Sequence, residues 1–580
     1  MHAHARRSSS ALQRLDPVRT LSSWRSEPGK RHGPHACFTH SGGRQACQLP
    51  SRGQAVEIMK RQANCKHFQH FGEEDIGGGG GSEAVSAVSS CTRGSGHGQA
   101  PSLKLILSLT AIAAITLLTG CATYHPKPLD PVLTEASFRD RSLSDPGLRD
   151  YLASQAAIVA TTKEPILNLS TLTLIAFYYN PDLEAARASL DLASAGVVTA
   201  AAMPNPSVNF PPTYETPLPP GVTPWAFFGP SFDIPIETAG KRTYRIAEVR
   251  HLSRAAAFGF MSTAWQVRSH VRAAAVAYIL AERMLELRRA EESARSELVT
   301  IFEKSFAAGE VSQPELITAR SNLLDAHLAV QAAESTVVDA RSALATALGV
   351  PLSAVEGAHI VWPELAHPPT DASIAPAAVQ AAGLLNRLDV RGALADYSAS
   401  ESALQLEIAK QYPDIHLGPG YQFEQNTNKW TLGISLTLPV FNQNQGPIAE
   451  AEAKREQAEI RFAGLQARVI GDTARARALY KTAKASLADA DTALSLARQQ
   501  ETAAGRLLQT GEGDRLSLVA AQIQRILAER GRLDALRRAQ DALGALEDAV
   551  QRPLGGEPSL PPVPLPQSSL QYLEVEESRS

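Results

Sequence analysis

The longest hydrophobic pattern in the chain is a seam in which apolar residues return every three or four positions. It lies in a stretch from Lys241 to Ala308 that contains no proline and a single glycine, Gly259. The clearest seam positions are Val276, Leu280, Met284, Leu287, Ala290, Ala294, Leu298 and Ile301. The residues between them include charges: Arg283, Glu286, Arg288 and Glu291. A period sustained over more than about 25 residues predicts a coiled-coil helix, and roughly 68 residues would span on the order of 100 Å.

Turn and capping residues divide the neighbouring sequence into further helices. Leu172–Ala202 is rich in alanine and leucine and is closed by Pro204 and Pro206, which predicts one helix. The long helix ends at Gly309, a residue suited to a left-handed C-cap. The next helix begins at Ser312-Gln313-Pro314-Glu315, which has the pattern of a capping box. We therefore expect two antiparallel helices joined by a tight turn.

Alternation of apolar and polar residues predicts a β-hairpin in Pro413–Val440. In its first arm Ile415, Leu417, Tyr421 and Phe423 alternate with His416, Gly418, Gln422 and Glu424. After Asn426-Thr427-Asn428, the apolar positions of the second arm are Trp430, Leu432, Ile434, Leu436 and Leu438. A weaker hairpin is predicted from Ser207–Phe210 and Trp225–Ile234. Strands of about ten residues with one apolar face are typical of a transmembrane β-barrel, although a soluble sandwich hairpin alternates similarly.

The number of strands carries the prediction further. About four strands are too few to close a barrel or to bury a sandwich, and open strand edges are not tolerated in lipid. Closure therefore requires oligomerisation, and three copies would supply about twelve strands. The sequence predicts a mainly α-helical chain whose strands join a 12-strand transmembrane β-barrel in a trimer.

The second half of the chain repeats the first. Asn180-Pro181-Asp182-Leu183 returns as Arg387-Leu388-Asp389-Val390, and Pro206-Ser207-Val208-Asn209 as Pro413-Asp414-Ile415-His416, both about 207 residues later. At an offset of about 202 residues the matched pairs are Gly309-Glu310 with Gly511-Glu512, Leu316 with Leu518, Ala319 with Ala521, and Pro351-Leu352 with Pro553-Leu554. Gly511, Gly513 and Asp514 supply the turn and N-cap of the second copy. A duplicated helix–β-hairpin–long-helix–helix unit favours an elongated assembly over an enzyme with one pocket.

The N-terminal part of the chain has a different composition. Residues 1–100 are rich in Gly, Ser, His and Arg, lack a sustained apolar period, and hold four of the five cysteines at spacings poor for a zinc site or a disulfide framework. Lys104 is followed by a short apolar run that ends in Leu118-Thr119-Gly120-Cys121, the pattern of a bacterial secretory signal with a lipobox. We expect Cys121 to be the first mature residue and to carry a covalent lipid. Because no methionine lies between Met59 and Met203, the hypothesis is a start at a non-AUG codon read here as Leu103.

No pattern in the mature sequence points to catalysis. Its histidines are scattered and none has catalytic or metal-ligand spacing: His125, His251, His270, His327, His359, His367 and His416. We therefore expect no enzyme, no cofactor besides the lipid, no resident metal and no nucleic-acid partner. A periplasmic adaptor lipoprotein would also have a signal peptide and a long helical hairpin. It would carry one hairpin flanked by soluble β-domains, however, whereas this chain has two hairpins and strands with an apolar face.

The duplicated unit, the lipobox, Asn180-Pro181-Asp182-Leu183 and Pro235-Ile236-Glu237-Thr238-Ala239-Gly240-Lys241-Arg242 together resemble the TolC family of outer-membrane efflux channels. The chain is most similar to the lipoprotein subgroup of heavy-metal efflux systems, the CzcC and CusC type. The resemblance covers residues 121–555. Drug-efflux and type I secretion channels of the same fold remain alternatives, since a duct needs no metal ligands of its own.

The resemblance implies a homotrimer with its β-barrel in the outer membrane and a helical α-barrel crossing the periplasm. It implies two partners, a periplasmic adaptor and an inner-membrane RND-type pump that supplies the energy. The residue after the lipidated cysteine is Ala122 rather than aspartate, and in this the chain is similar to lipoproteins sorted to the outer membrane. The residues implied at the periplasmic tip, as gate and adaptor contact, are Gly309, Glu310, Glu315, Gly511, Glu512 and Asp514. The chain departs from TolC at Ser517 and Ala520, where TolC carries acidic residues that ring the closed pore.

These expectations divide the chain into six segments. The first three are a non-native or disordered extension (1–100), a lipoprotein signal peptide (101–120) and a lipidated N-terminal segment (121–170). The others are a first efflux repeat (171–355), a second efflux repeat (380–555) and a disordered proline-rich tail (556–580).

The lipid assignment predicts the outcome of one substitution. Cys121→Ser should abolish labelling of the protein by radioactive palmitate, because no other cysteine follows a lipobox, while the chain should still reach the membrane fraction. Labelling that persists in the Cys121→Ser protein would contradict the assignment.

Overall fold

The structure is a computed structural model that describes residues 123–155, 167–210, 213–214, 216–217, 220, 225–226, 229–370, 387–424 and 427–554. Four predictions lie outside these residues: the extension 1–100, the signal peptide 101–120, the lipid on Cys121 and the disordered tail 556–580. From His125 onward, the described residues belong to one compact unit, His125–Ser580. None of the helices in these ranges has an apolar stretch long enough to cross a membrane.

The first half of the body contains six helices and four strands among the described residues. They are α1 (Pro131–Arg139), α2 (Pro146–Ser154), α3 (Leu169–Tyr179), α4 (Pro181–Ala201), β1 (Ser207–Asn209), β2 (Thr213–Tyr214), β3 (Trp225–Ala226), β4 (Ser231–Ile236), α5 (Lys241–Ala307) and α6 (Gln313–Leu348). Short 3-10 helices follow at Leu352–Ala354 and Pro363–Ala366.

The second half has the same order. Its elements are α7 (Leu388–Ala409), β5 (Ile415–Glu424), β6 (Thr427–Leu436), α8 (Gln445–Thr510) and α9 (Arg515–Val550). The long helices α5 and α8 have 67 and 66 residues, and the returning helices α6 and α9 have 36 each. The element order and the helix lengths thus have the repeat that the sequence offsets predict.

Equivalent contacts hold the two copies together internally. Asn180 Nδ2 donates to the carbonyl of Ala347 at the end of α6, at 3.3 Å. The guanidinium of Arg387 donates to the carbonyl of Ala549 at the end of α9, at 2.8 Å. Both contacts join the start of a short helix to the end of a returning helix, at positions related by the offsets of the duplication. The repeat therefore preserves the position of the contact, while an amide has been exchanged for a guanidinium.

Two predicted elements have wrong boundaries. The helix predicted over Leu172–Ala202 is two helices, because Asn180 leaves the helical conformation and its side chain caps α4 by accepting from the N–H of Asp182 at 2.9 Å. The strand predicted over Trp225–Ile234 is also two: Trp225–Ala226 pairs with Thr213–Tyr214, and Ser231–Ile236 forms β4. At the break between α3 and α4, Pro181 takes the first position of α4, and a proline ring suits the start of a helix.

The described strands form a two-stranded sheet, β2-β3, and a four-stranded antiparallel sheet in the order β1-β4-β5-β6. The register of the larger sheet sorts its side chains by chemistry. One face carries small and polar residues: Ser207, Asn209, Ser231, Asp233, Pro235, His416, Gly418, Gly420, Gln422, Thr427, Lys429, Thr431, Gly433 and Ser435. The opposite face carries Val208, Phe232, Ile234, Ile236, Ile415, Leu417, Pro419, Tyr421, Phe423, Asn428, Trp430, Leu432, Ile434 and Leu436.

Among the described residues, the apolar face of this sheet is largely exposed, most of all along β6. Trp430, Leu432 and Ile434 expose 81%, 70% and 64% of their surface. Tyr421 and Trp430 stand opposite each other on this face with ring centroids 4.9 Å apart. Buried apolar residues belong instead to the helical part, where α5 packs against α3, α4, α6, α7 and α9.

The predicted seam of α5 is correct in part. Val276, Leu280 and Ala294 are buried, whereas Ala290 is exposed and the adjacent Glu291 is buried. Glu291 accepts from Arg295 at 2.9 Å and, across the helix interface, from Arg530 of α9 at 2.6 Å. The sequence pattern did not predict the burial of Glu291, because the arginines that compensate its charge include Arg530, about 240 residues away.

A second buried carboxylate joins the same pair of helices. Glu547 of α9 is 2% exposed and lies 3.4 Å from Arg268 and 3.3 Å from Arg272 of α5. It also accepts from the N–H of Leu554 at 2.8 Å, which fixes the chain after α9. Removing one partner of such a group leaves buried guanidinium charges without compensation.

Glu547→Ala should therefore destabilise the folded chain by about 3 kcal/mol, because two buried arginines lose their counter-charge. Thermal unfolding of the purified protein, followed by circular dichroism, measures the effect. Glu286→Ala is the matched control, since Glu286 pairs with Arg283 on the same helix with both side chains about two-thirds exposed. Equal melting temperatures of the two variants would contradict the structural role of Glu547.

Candidate functional site

The implied tip residues lie at two turns of the same construction. Just after α5 ends, Glu310 N–H donates to Ser305 O at 2.9 Å and Gly309 N–H to Phe306 O at 3.0 Å. α8 ends in the same way: Glu512 N–H donates to Leu507 O at 3.0 Å and Gly511 N–H to Leu508 O at 3.3 Å. This pair of bonds is a Schellman motif, and it requires a left-handed residue after the helix.

Gly309 and Gly511 supply that residue. Both have φ of 79°, a region in which a side chain is strained. Apart from the flanking residues, no atom of the described residues lies within 4 Å of the position that a Cβ would take at either glycine, so backbone conformation and not space accounts for glycine there. The predicted left-handed caps are thus present in both copies.

The helices that leave the turns begin with acidic caps. The carboxylate of Glu315 accepts from the backbone N–H of Ser312 at 2.7 Å, as the predicted capping box requires. Asp514 accepts from the N–H of Ser517 at 2.8 Å and is the N-cap of α9. Hydrogen bonds from Ser312 and Ser517 lower the pKa of the Glu315 and Asp514 carboxyl groups, because they stabilise the charged form.

The acidic residues at the turns are exposed to solvent within the chain. Glu310 and Glu512 follow the left-handed glycines at the tops of the turns, and Glu315 and Asp514 stand at the helix starts. Ser517 and Ala520, where TolC has acidic residues, are exposed on the first turns of α9. Asp514 is therefore the acidic group at the start of this helix, and it already serves as a cap.

The two turns lie at the same end of the helical body but are not level. Arg515, just after the second turn, bonds to Glu297 of α5 at 2.6 Å. Val519 packs in one apolar cluster with Ala294, a contact that has the same stagger. Glu297 precedes Gly309 by twelve residues, about 18 Å of helix, whereas Arg515 follows Gly511 by four residues, about 6 Å, so the first turn projects roughly 10 Å beyond the second.

Charged residues that the sequence reasoning missed fix the second hairpin against the first near this end. Arg515 with Glu297, and Arg530 with the buried Glu291, join α9 to α5. Within the first hairpin Arg320 bonds to Glu303 at 2.7 Å. The ion pairs connect residues more than 200 positions apart in two of three cases, so periodicity gave no signal for them.

In the described ranges, no group of three or more His, Cys, Asp or Glu side chains comes together. The implied tip residues are accordingly a surface of exposed acids and turn backbone. Such a surface suits contact with another protein or an effect on passing ions.

Comparisons with known proteins agree with this architecture. Residues 176–350 match the family model of outer membrane efflux proteins. The cobalt-zinc-cadmium resistance protein CzcC of Cupriavidus metallidurans is 25% identical over 299 residues, which are 50% of this chain and 68% of that protein.

Solved structures of outer-membrane proteins share the fold. VceC from Vibrio cholerae superposes with a TM-score of 0.53 at 17% identity, over 66% of this chain and 95% of VceC. A CusC structure gives 0.54 at 18% identity, over 66% and 91%. The CmeC outer membrane channel of Campylobacter jejuni gives 0.54 at 15% identity, over 78% and 97%.

The caps predict how the helix start after the second turn responds to substitution and to pH. Asp514→Ala should make the amides of the first turn of α9 exchange hydrogen several-fold faster, whereas Asp514→Asn should largely retain protection, because asparagine also caps. A carboxyl with a lowered pKa stabilises the folded form above its unfolded pKa and loses this contribution as the pH falls through the folded value.

Protection in the natural protein should therefore decline on acidification below about pH 4, and in Asp514→Asn it should not. Hydrogen exchange read by mass spectrometry, corrected for intrinsic rates, gives the comparison. Identical pH dependence in both proteins would contradict the capping role.

Proposed function

We propose that this chain, which matches the family model of outer membrane efflux proteins over residues 176–350, forms the outer-membrane channel of a tripartite efflux pump. The family match and the likeness to CzcC support the resemblance to efflux channels that the sequence predicted. The channel is a passive duct: it catalyses no reaction, and energy comes from an inner-membrane RND-type pump coupled through a periplasmic adaptor.

The observation that carries the proposal is the division of the four-stranded sheet into two chemical faces. Thirteen of the fourteen residues assigned to the apolar face are apolar, and Asn428 is the exception. The residues of the opposite face are polar or small. A sheet with both faces open to solvent would leave this apolar surface in contact with water. In a β-barrel in lipid, the apolar face meets the hydrocarbon and the polar face lines the lumen.

The edges of the same sheet support a trimer. β1 and β6 are its outer strands, and every residue of β6 is exposed. A membrane offers no water to unpaired backbone groups, so both edges need partners. Three copies joined edge to edge supply twelve strands, and the long helices then form an α-barrel through the periplasm.

The staggered turns of the two hairpins are the proposed periplasmic tip. Gly309, Glu310, Glu315, Gly511, Glu512 and Asp514 are proposed to meet the adaptor and to form the gate. The exposure of the acids and the open space around both glycines support this role. Cys121 is proposed to carry a lipid that anchors the chain in the outer membrane.

Heavy-metal cations are the proposed cargo. The support is the likeness to CzcC, whose name assigns it to cobalt, zinc and cadmium resistance, over 68% of that protein. The acidic groups at the tip agree with a cationic cargo, because like charges around a constriction attract counter-ions.

Two substitutions in adjacent residues of β6 test the proposal. Leu432→Lys places a charge on the apolar face at mid-strand and should prevent assembly in the outer membrane, since a lysine facing lipid costs about 2–4 kcal/mol near the midplane. Thr431→Lys places the same charge on the polar face and should be tolerated. Cells that depend on this chain should lose resistance to zinc, cobalt and cadmium with Leu432→Lys and keep it with Thr431→Lys.

Two controls complete the experiment. Native mass spectrometry of the purified natural chain in detergent should give three copies, and a stable monomer with full β content would contradict the assembly. Cells should become sensitive to metal salts and not to drugs when the gene is removed; the reverse pattern would reject the metal cargo but not the channel.

A further inference from the structure

We propose that His416, oriented by Asp233, binds divalent transition-metal ions on the polar face of the sheet. This inference rests on the proposed function, because it assigns that face to the lumen through which the cargo passes. The ligands expected there are zinc, cobalt or cadmium ions in transit, held by one imidazole nitrogen and water.

The pair joins the two repeats across the sheet. His416 lies on β5 and Asp233 on β4, and the Nδ1 atom of the histidine is 2.9 and 3.2 Å from the two carboxylate oxygens. The side chains are 40% and 44% exposed, so both are accessible from the polar face. Serines flank them in register: Ser435 stands opposite His416, and Ser207 opposite Asp233.

The carboxylate determines which imidazole nitrogen is available. A neutral imidazole that donates its Nδ1–H to Asp233 keeps its lone pair on Nε2, where it acts as a ligand. A carboxylate behind a histidine is the usual outer partner of a metal-binding imidazole, since it fixes the tautomer and raises ligand basicity. Imidazole nitrogen prefers zinc, cobalt and related ions over magnesium or calcium.

A lysine near the site, Lys241, pairs with a different carboxylate, Asp414. Asp414, two residues before His416, is held by Lys241 Nζ at 2.7 Å and by the N–H of Thr238 at 2.9 Å. Lys241 thus compensates Asp414, while the negative charge of Asp233 faces the histidine. The local field therefore favours a cation beside His416.

The site is built for passage and not for storage. No third His, Cys, Asp or Glu in the described part of the chain converges with this pair. One imidazole with water and hydroxyl neighbours gives weak, rapidly exchanging binding. A conducting duct needs binding of this kind, because an ion must enter a site and also leave it.

A second histidine of similar appearance provides the contrast. His327 on α6 also bonds to a carboxylate, with Nδ1 2.7 Å from Glu292. Its Nε2, however, is 3.2 Å from Nε2 of Gln331, so both ring nitrogens have partners. His327 should therefore bind metal less readily than His416, although both histidines are exposed and paired with carboxylates.

Zinc binding to the purified full chain in detergent tests the inference, measured by equilibrium dialysis near neutral pH. His416→Asn should remove the weak zinc site. Asp233→Asn should weaken it by about 10–100-fold, the usual effect of losing the outer partner of a metal-binding histidine. His327→Asn should leave zinc affinity unchanged. Circular dichroism confirms that each variant retains its fold.

Zinc binding that persists in His416→Asn, or that falls equally in His327→Asn, would overturn the site. Conductance in planar bilayers separates this result from the proposed function. Added zinc should reduce the current through the natural channel and not through the His416→Asn channel. A protein that binds zinc through His416 but does not conduct would reject the duct and retain the site, whereas a conducting protein that does not bind zinc would reject the site alone.

Discussion

A polypeptide backbone in hydrocarbon has no water to bond with, so each N–H and C=O must find a partner in protein. In the proposed channel, this requirement applies to the four-stranded sheet. Among the described residues, this sheet has a largely exposed apolar face, and no further strand pairs with its outer strands β1 and β6. A single copy satisfies neither condition. In the helical part, α5 packs against α3, α4 and α6 of its own repeat and against α7 and α9 of the second repeat. Apolar residues of the long helices are exposed as well, among them Leu252 of α5 and Ile460, Leu479 and Leu496 of α8.

Sequence reasoning succeeded where the signal was local or periodic. The long helix, the left-handed glycines and the capping box at Ser312 depend on residues a few positions apart, and the structure contains all of them. The alternation in β5 and β6 likewise follows from a period of two along each strand. Boundaries were wrong where one side chain decided them, as at Asn180, whose cap divides a continuous apolar segment into two helices.

The features that sequence reasoning missed are long-range and electrostatic. Glu291 and Glu547 read as ordinary surface charges, because their burial depends on arginines from a helix in the other half of the chain. The stagger of the two turns has the same origin, since it is set by the register of α9 on α5 and not by any property of the turn sequences. The partner of His416 could not be found by spacing either, as Asp233 lies on a strand of the other repeat.

The uneven height of the two turns has a consequence for symmetry. Three chains with two hairpins each would present six turns around one axis, with nearly identical backbone at every turn. Because the turn at Gly309 projects roughly 10 Å beyond the turn at Gly511, these six turns alternate between two levels. At the end of such a ring, the backbone conformation of the turns would repeat six times around the axis, whereas the heights of the turns would repeat only three times. In the proposed trimer, a partner ring of six identical subunits could not contact all six turns through the same residues, so its subunits would divide into two classes of binding environment.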